Sequence, residues 1–339
     1  MTVGKSGTYL NTSISPLNLY SRQKVSTEKS IAQNDNSGFQ SDFDLPNNIF
    51  SLETSEITSQ DMVGIKEAIV LASQQRSELK NDLKKIKLSL LLSKIKLYIS
   101  YILIYGLLKK SITNKIKLDI NLQEDAIIQT KEQIEQCYVK LDIEFDKNIK
   151  EKYNKLVDSF KQLCKCHQIW DILGEIYQDR VAARSSASTI VKQEKVKFSL
   201  RSLENIKSEY HALYMQNING GDIYIYPSFV VLYSNEKKFA LISLEDVELI
   251  HSPIVYSETK IVPGDTKIIG YTWAKVNKNG SPDRRFKGNY QIPLVEYGGI
   301  KLKTKRGLNE EYQFSNYQYT EDFGKAFEGY QNTLKSFKK

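Results

Sequence analysis

The chain of 339 residues has too few cysteines for a disulfide framework: there are three, and no apolar leader stands at its amino terminus. That pattern predicts an intracellular, reducing and cytoplasmic setting. Cys164, Cys166 and His167 lie close together, but one residue between two cysteines is too tight for a structural zinc pair, and Cys137 is remote. No metal and no cofactor are expected. There are only three histidines, His167, His211 and His251, and none sits beside a recognisable nucleophile or paired acid. This argues against an enzyme. The remaining catalytic reading is a metal-dependent phosphodiesterase or nuclease, in which the fold would gather Asp222, Glu245, Asp246, Asp265 and Asp283 beside Arg284 and Arg285.

Long apolar runs are also missing. The uncharged run at 97–108 has 12 residues, whereas a helical membrane span needs about 20. Acidic residues are absent from one whole stretch: from Lys84 to Lys117 there are nine lysines and no Asp or Glu. The formal net charge is +8, so this stretch alone carries the excess. It predicts either an anionic surface met by this segment or a solvated helix face. Tyr98, Tyr101 and Tyr105 are interleaved with Ile and Leu here, unlike base-stacking platforms. Nucleic acid is therefore not the expected partner.

Residues 1–57 are rich in Ser, Asn, Thr, Gln and Gly, and read as a disordered tail. Helix formers then run from Ile65 to Leu108 with neither Pro nor Gly before Gly106, and Thr58 with Asp61 has capping-box spacing. Leu88, Leu92, Ile95, Ile99 and Ile102 step by three or four and share a face. The segment's oligomer- or membrane-facing candidates are Lys94, Lys96, Tyr98, Ile99, Ile102, Tyr105, Lys109 and Lys110. A break is expected at 111–121, followed by a cap at Asn121 with Glu124. A second long helix would then carry the stripe Ile134, Tyr138, Leu141, Phe145, Ile149, Tyr153, Leu156, Phe160 and Leu163. Together, 58–166 read as a long antiparallel, coiled-coil-like hairpin. Residues 167–219 read as a helical junction.

From Gly220 the period changes to two, with six to eight short strands and tight turns. A closing helix carries Phe323, Phe327, Tyr330, Leu334 and Phe337, with Thr320 as its cap. The sequence from Gly221 to Ile250, GDIYIYPSFVVLYSNEKKFALISLEDVELI, resembles the opening of pleckstrin-homology-like domains of the bacterial and GRAM type. The resemblance covers about 120 residues and implies a small β-barrel closed by the last helix, in a module that binds lipid headgroups, peptides or neighbouring domains. The basic cluster of lipid-binding members is lacking in the first turns. The loop at 277–290 instead concentrates Asp283, Arg284, Arg285, Lys287 and Asn289 beside Trp273 and Tyr290, a set suited to an anion or a partner carboxylate. The expected whole is an α+β chain acting as a non-enzymatic adaptor or assembly subunit. It would form homo-oligomers through the helical arm and bind a protein partner through residues 220–339. The alternative is a peripheral protein docked on an anionic membrane through 84–117.

Overall fold

A computed structural model of the chain describes residues 9–15, 19–24, 47–49, 51, 57–102, 110–177, 179, 187 and 189–336. Strands β1 (Tyr9–Ser15), β2 (Leu19–Lys24) and β3 (Asn47–Asn48) come first, then α1 (Val63–Ile102) and α2 (Lys110–Gln136). β4 (Tyr138–Glu144) and α3 (Lys147–Leu163) follow. A run of strands comes next: β5 (Ile169–Tyr177), β6 (Thr189–Lys195), β7 (Phe198–Leu200), β8 (Ile206–Ser208), β9 (Leu213–Met215), β10 (Asp222–Ile225), β11 (Phe229–Asn235) and β12 (Lys238–Ser243). β13 (Glu248–Ser257), β14 (Lys267–Trp273), β15 (Gln291–Lys303) and β16 (Asn309–Phe314) lead to α4 (Tyr317–Ser336).

The strands form three open sheets. One has the order β2-β1-β4-β8, the second β12-β11-β10-β9-β7, and the third β13-β15-β16-β5-β3, with β14 on β15 and β6 on β5. Pairing is antiparallel except between β4 and β8.

The five-stranded sheet is buried on both faces, which explains its nearly continuous apolar sequence. Ile223, Ile225, Val230 and Leu232 face a core that also holds α3, α4 and β16. Their neighbours Tyr224, Tyr226, Phe229 and Val231 face a second core, closed by Ile65, Ile69 and Ala72 of α1 and Val139 and Leu141 of β4. In the first core α3 and α4 meet through aromatic rings: Phe160 lies 5.5 Å from Phe323 and Tyr153 lies 5.3 Å from Tyr330. Two polar tips of α4 find backbone partners there. Tyr330 donates to the Pro227 carbonyl at 2.7 Å, and Gln331 donates to the Leu244 and Val247 carbonyls.

Several expectations are corrected. The tail expected to lack structure contains β1, β2 and β3, and β1 pairs with β4 along its length. The expected two-helix hairpin over 58–166 is not what forms. α2 runs unbroken from Lys110, so Asn121 is a helix-interior residue, and it ends at Gln136. The stripe that seemed to continue as one helix crosses β4, where buried Val139 and Leu141 alternate with more exposed Lys140 and Asp142. α3 then starts afresh at Asp146, whose carboxylate accepts from the Asn148 amide and caps it. Spacing by three and four was preserved across the strand by coincidence. Thr58 and Asp61 do not open α1, which is entered through a 3-10 turn at Gln60–Met62.

The described residues of 167–219, expected to be a helical junction, hold β5 to β9. The pleckstrin-homology resemblance is overturned as well, because none of the three sheets closes into a barrel. The last helix packs on α3 and the sheets rather than filling a barrel mouth. Its cap is Asn316, whose side chain accepts from the Tyr319 amide at 3.2 Å, while Thr320 donates back to the Asn316 carbonyl. Phe337 lies outside the described residues.

The approach of α4 to β15 depends on a missing side chain. A Cβ on Gly298 would stand 2.5 Å from the Thr320 Cβ, inside its van der Waals surface. Gly298→Ala is expected to cost about 1–3 kcal/mol through overpacking, whereas Gly270→Ala on β14, where the nearest atom would be Leu294 Cδ1 at 3.9 Å, should be close to neutral. Urea unfolding of both variants checks this, and equal midpoints would contradict the packing described.

Candidate docking surfaces

The arm made by α1 and α2 is rooted at its base. Ile65, Ile69 and Ala72 are buried in the second core, Asn205 donates to Ser73 at 2.8 Å, and Arg76 pairs with Glu204 at 3.0 Å. Beyond this foot, from Lys80 to Ile102, no residue of α1 is buried.

The two helices run antiparallel across a short connection and share a seam. On α1, Leu83, Ile86, Leu90, Ser93, Leu97 and Ser100 are half-buried. On α2, Thr113, Ile116, Ile120, Gln123, Ile127 and Thr130 are half-buried or buried. Both series step by three and four, the pattern of helices packed side by side. Gln123 donates to Ser89 at 3.0 Å and to Ser93 at 3.3 Å, and Lys94 pairs with Glu124 at 2.8 Å.

A second apolar face on α1 takes no part in this seam. Leu88, Leu91, Leu92, Ile95, Tyr98, Ile99 and Ile102 also step by three and four, but they point outward. Leu88 is 59% exposed, Tyr98 70% and Ile102 78%. One apolar face suffices to hold a helix pair. The outer face therefore contributes nothing to folding of the arm. Of the arm's sequence candidates, Lys94, Lys96, Tyr98, Ile99 and Ile102 lie on or beside it, exposed, and Lys110 opens α2, also exposed. Tyr105 and Lys109 lie outside the described residues.

The loop between β14 and β15 holds the other candidates. It is braced from within: Asn289 accepts from the Lys275 amide and donates to its carbonyl, Asn277 donates to Ser281 and Pro282, and Gly280 turns the chain at φ 82°. Asp283 is buried, and Arg285 grips it with Nε and Nη2, both at 2.9 Å. The guanidinium expected to clamp an outside anion is engaged with this internal carboxylate. Arg284 and Lys287 are exposed and make no ion pair among the described residues, Tyr290 is exposed, and Trp273 ends β14 half-buried. Asn277, Ser281, Pro282, Asp283, Arg284 and Arg285 line a shallow hollow of about 380 Å³.

The acids considered for phosphodiester chemistry occupy separate bonds. Asp222 accepts from the Asn217 amide and the Tyr214 hydroxyl. Asp246 accepts from Ser59, and Asp265 accepts from the His167 amide and Ser315. Among the described residues no three His, Cys, Asp or Glu are placed to hold one metal ion. Burial pushes the Cys164 and Cys166 thiols up to about 12, which keeps them protonated and unreactive at neutral pH.

A buried polar cluster escaped the sequence reading. Asp171 of β5 accepts from the Ile218 amide at 2.7 Å, and Glu310 of β16 accepts from the Ser51 hydroxyl. Asn219 donates to the Ile49 carbonyl, so the cluster ties Ile49 and Ser51 to the β-rich body. Glu310 and Glu311 stand side by side in the sequence. They lie on a strand between β15 and β5, where both faces are covered.

Burial pushes the Glu310 carboxyl up to about 7, and the charge of Asp171 adds to the rise. Burial raises Asp171 too. A carboxyl whose folded pKa lies above its ordinary 4.5 contributes stability that is complete below about 4.5 and is lost as pH rises through about 7. Unfolding free energy should thus fall by about 1–3 kcal/mol from this group between those limits, and Glu310→Gln should remove most of that fall. Urea titrations at acidic and alkaline pH measure it, and an unchanged pH slope in the variant would contradict the assignment. No protein-family model, curated protein or solved structure matches this chain.

Proposed function

We propose that this chain is a non-enzymatic adaptor or assembly subunit, in which a β-rich body carries a helical arm that docks on a partner surface. The observation behind this is the second apolar face of α1. Leu88, Leu92, Ile95 and Ile99 are exposed although the α1–α2 seam is already filled by other residues. Exposed contiguous apolar surface beyond what folding needs is the mark of an interaction site. The rooted foot of the arm, with Ser73 held by Asn205 and Arg76 by Glu204, gives the face a fixed place relative to the body. The braced loop with Arg284, Lys287 and Tyr290 supplies a second, polar contact for a protein partner on the β-rich part.

This reading places the protein in the cytoplasm. Sedimentation of cell extract containing the full chain tests it. The native chain should run with heavy material, either a complex or membrane, and Leu92→Asp/Ile99→Asp should run at the mass of a single copy. Both positions are solvent-exposed, so the variant should keep its unfolding midpoint. Identical sedimentation of the two forms would overturn the docking role of the arm.

A further inference from the structure

The outer face of α1 differs from an ordinary protein-binding stripe in what borders it. At 3.6 residues per turn, residues seven or eleven apart sit at nearly the same angle on a helix. Lys87 and Lys94 therefore line one edge of the face, and Lys85 and Lys96 line the other. Lys84, Lys87, Lys96, Lys110, Lys115 and Lys117 make no ion pair among the described residues. Lys85 pairs with Asp82 and Lys94 with Glu124, both in the open, where such pairs contribute little.

Between the lysine edges lie Leu88, Leu91, Leu92, Ile95 and Ile99, with Tyr98 at the margin, over a length of roughly 21 Å from Leu88 to Ile102. An apolar strip with cationic edges on both sides matches a helix lying in a headgroup layer. Its aliphatic side chains sink toward the acyl chains while the lysine stems reach back to the phosphates. No helix among the described residues is long and apolar enough to cross a membrane, so the fit is to lying on the surface.

The same charges disfavour a second copy. Between Lys84 and Lys117 the sequence offers nine lysines and no acid, so apposed copies of this surface would set like charges against one another.

We propose that the outer face of α1 binds the anionic leaflet of a lipid bilayer, lying parallel to it with Leu88, Leu92, Ile95 and Ile99 inserted and Lys85, Lys87, Lys94 and Lys96 on the headgroups. This rests on the docking role of the arm and names its occupant. The lipid charge sets affinity and the apolar strip sets depth.

Flotation of the full chain with vesicles of phosphatidylcholine alone, and with about 30% phosphatidylserine, tests the proposal. Binding should need the anionic lipid, weaken as salt is raised, and fall about fivefold for each lysine removed in Lys87→Gln/Lys96→Gln. It should be abolished in Leu92→Asp/Ile99→Asp. Vesicle binding that both variants retain would overturn the proposal. Failure to bind anionic vesicles, with arm-dependent heavy sedimentation in extract persisting, would overturn the lipid assignment and leave docking on a protein. A defined oligomer of the pure chain that Leu92→Asp/Ile99→Asp dissolves would overturn it in favour of a second copy. Loss of arm-dependent sedimentation itself would remove the docking reading beneath it.

Discussion

The fold depends on one sheet being covered twice. β10, β11 and the turn that joins them send Ile223, Ile225, Val230 and Leu232 to one side and Tyr224, Tyr226, Phe229 and Val231 to the other, so neither face can be left to water. The first side is closed by α3 and α4, locked by the aromatic contacts of Tyr153 with Tyr330 and Phe160 with Phe323. The second is closed by the foot of α1 and by β4. Each aromatic truncation in such a seam would cost several kcal/mol. The arm is a consequence: the helix that covers the second face continues far beyond the residues that cover it.

That continuation separates the part of α1 fixed by folding from the part available for binding. Up to Ser73 its buried residues belong to the core. Beyond Lys80 its inner residues meet α2, and its outer residues meet solvent. A helix pair with polar seam residues such as Ser93 and Gln123 is held in register by their bonds, which places the outer strip and its lysines at a defined angle. The buried Asp171 and Glu310 cluster works at the opposite level, fixing Ile49 and Ser51 against the body at a cost that depends on pH.

The sequence made the arm visible for physical reasons. Helix formers without Pro or Gly, stripes at three and four, and an acid-free lysine block all survive as local signals. The strands of 222–243 were legible because alternation and β-branched content are local too. What failed was the boundary at Gln136, where the stripe kept its spacing across β4. The alternation of Val139, Lys140, Leu141 and Asp142 was the competing signal, and the apolar series masked it. The strands at 189–215 were hidden by charged residues whose helix propensity yielded to pairing with β5 and β10. Closure of the β region was expected from strand number and from the pleckstrin-homology resemblance, and neither fixes strand order: β5, from before the five-stranded sheet, inserts beside β16 and keeps the sheet open. In the loop, residue types were legible, but the capture of Arg285 by Asp283 two positions away was not.

The most direct measurement is the collisional accessibility of spin labels placed singly on α1, at Leu92 and Ile99 on the outer strip and at Ser93 on the seam, with and without anionic vesicles. The account predicts that the outer labels pass from water-accessible to oxygen-accessible on adding vesicles while the seam label does not change. Outer labels that stay in water, or a seam label that responds as they do, would contradict a docking face distinct from the folding face.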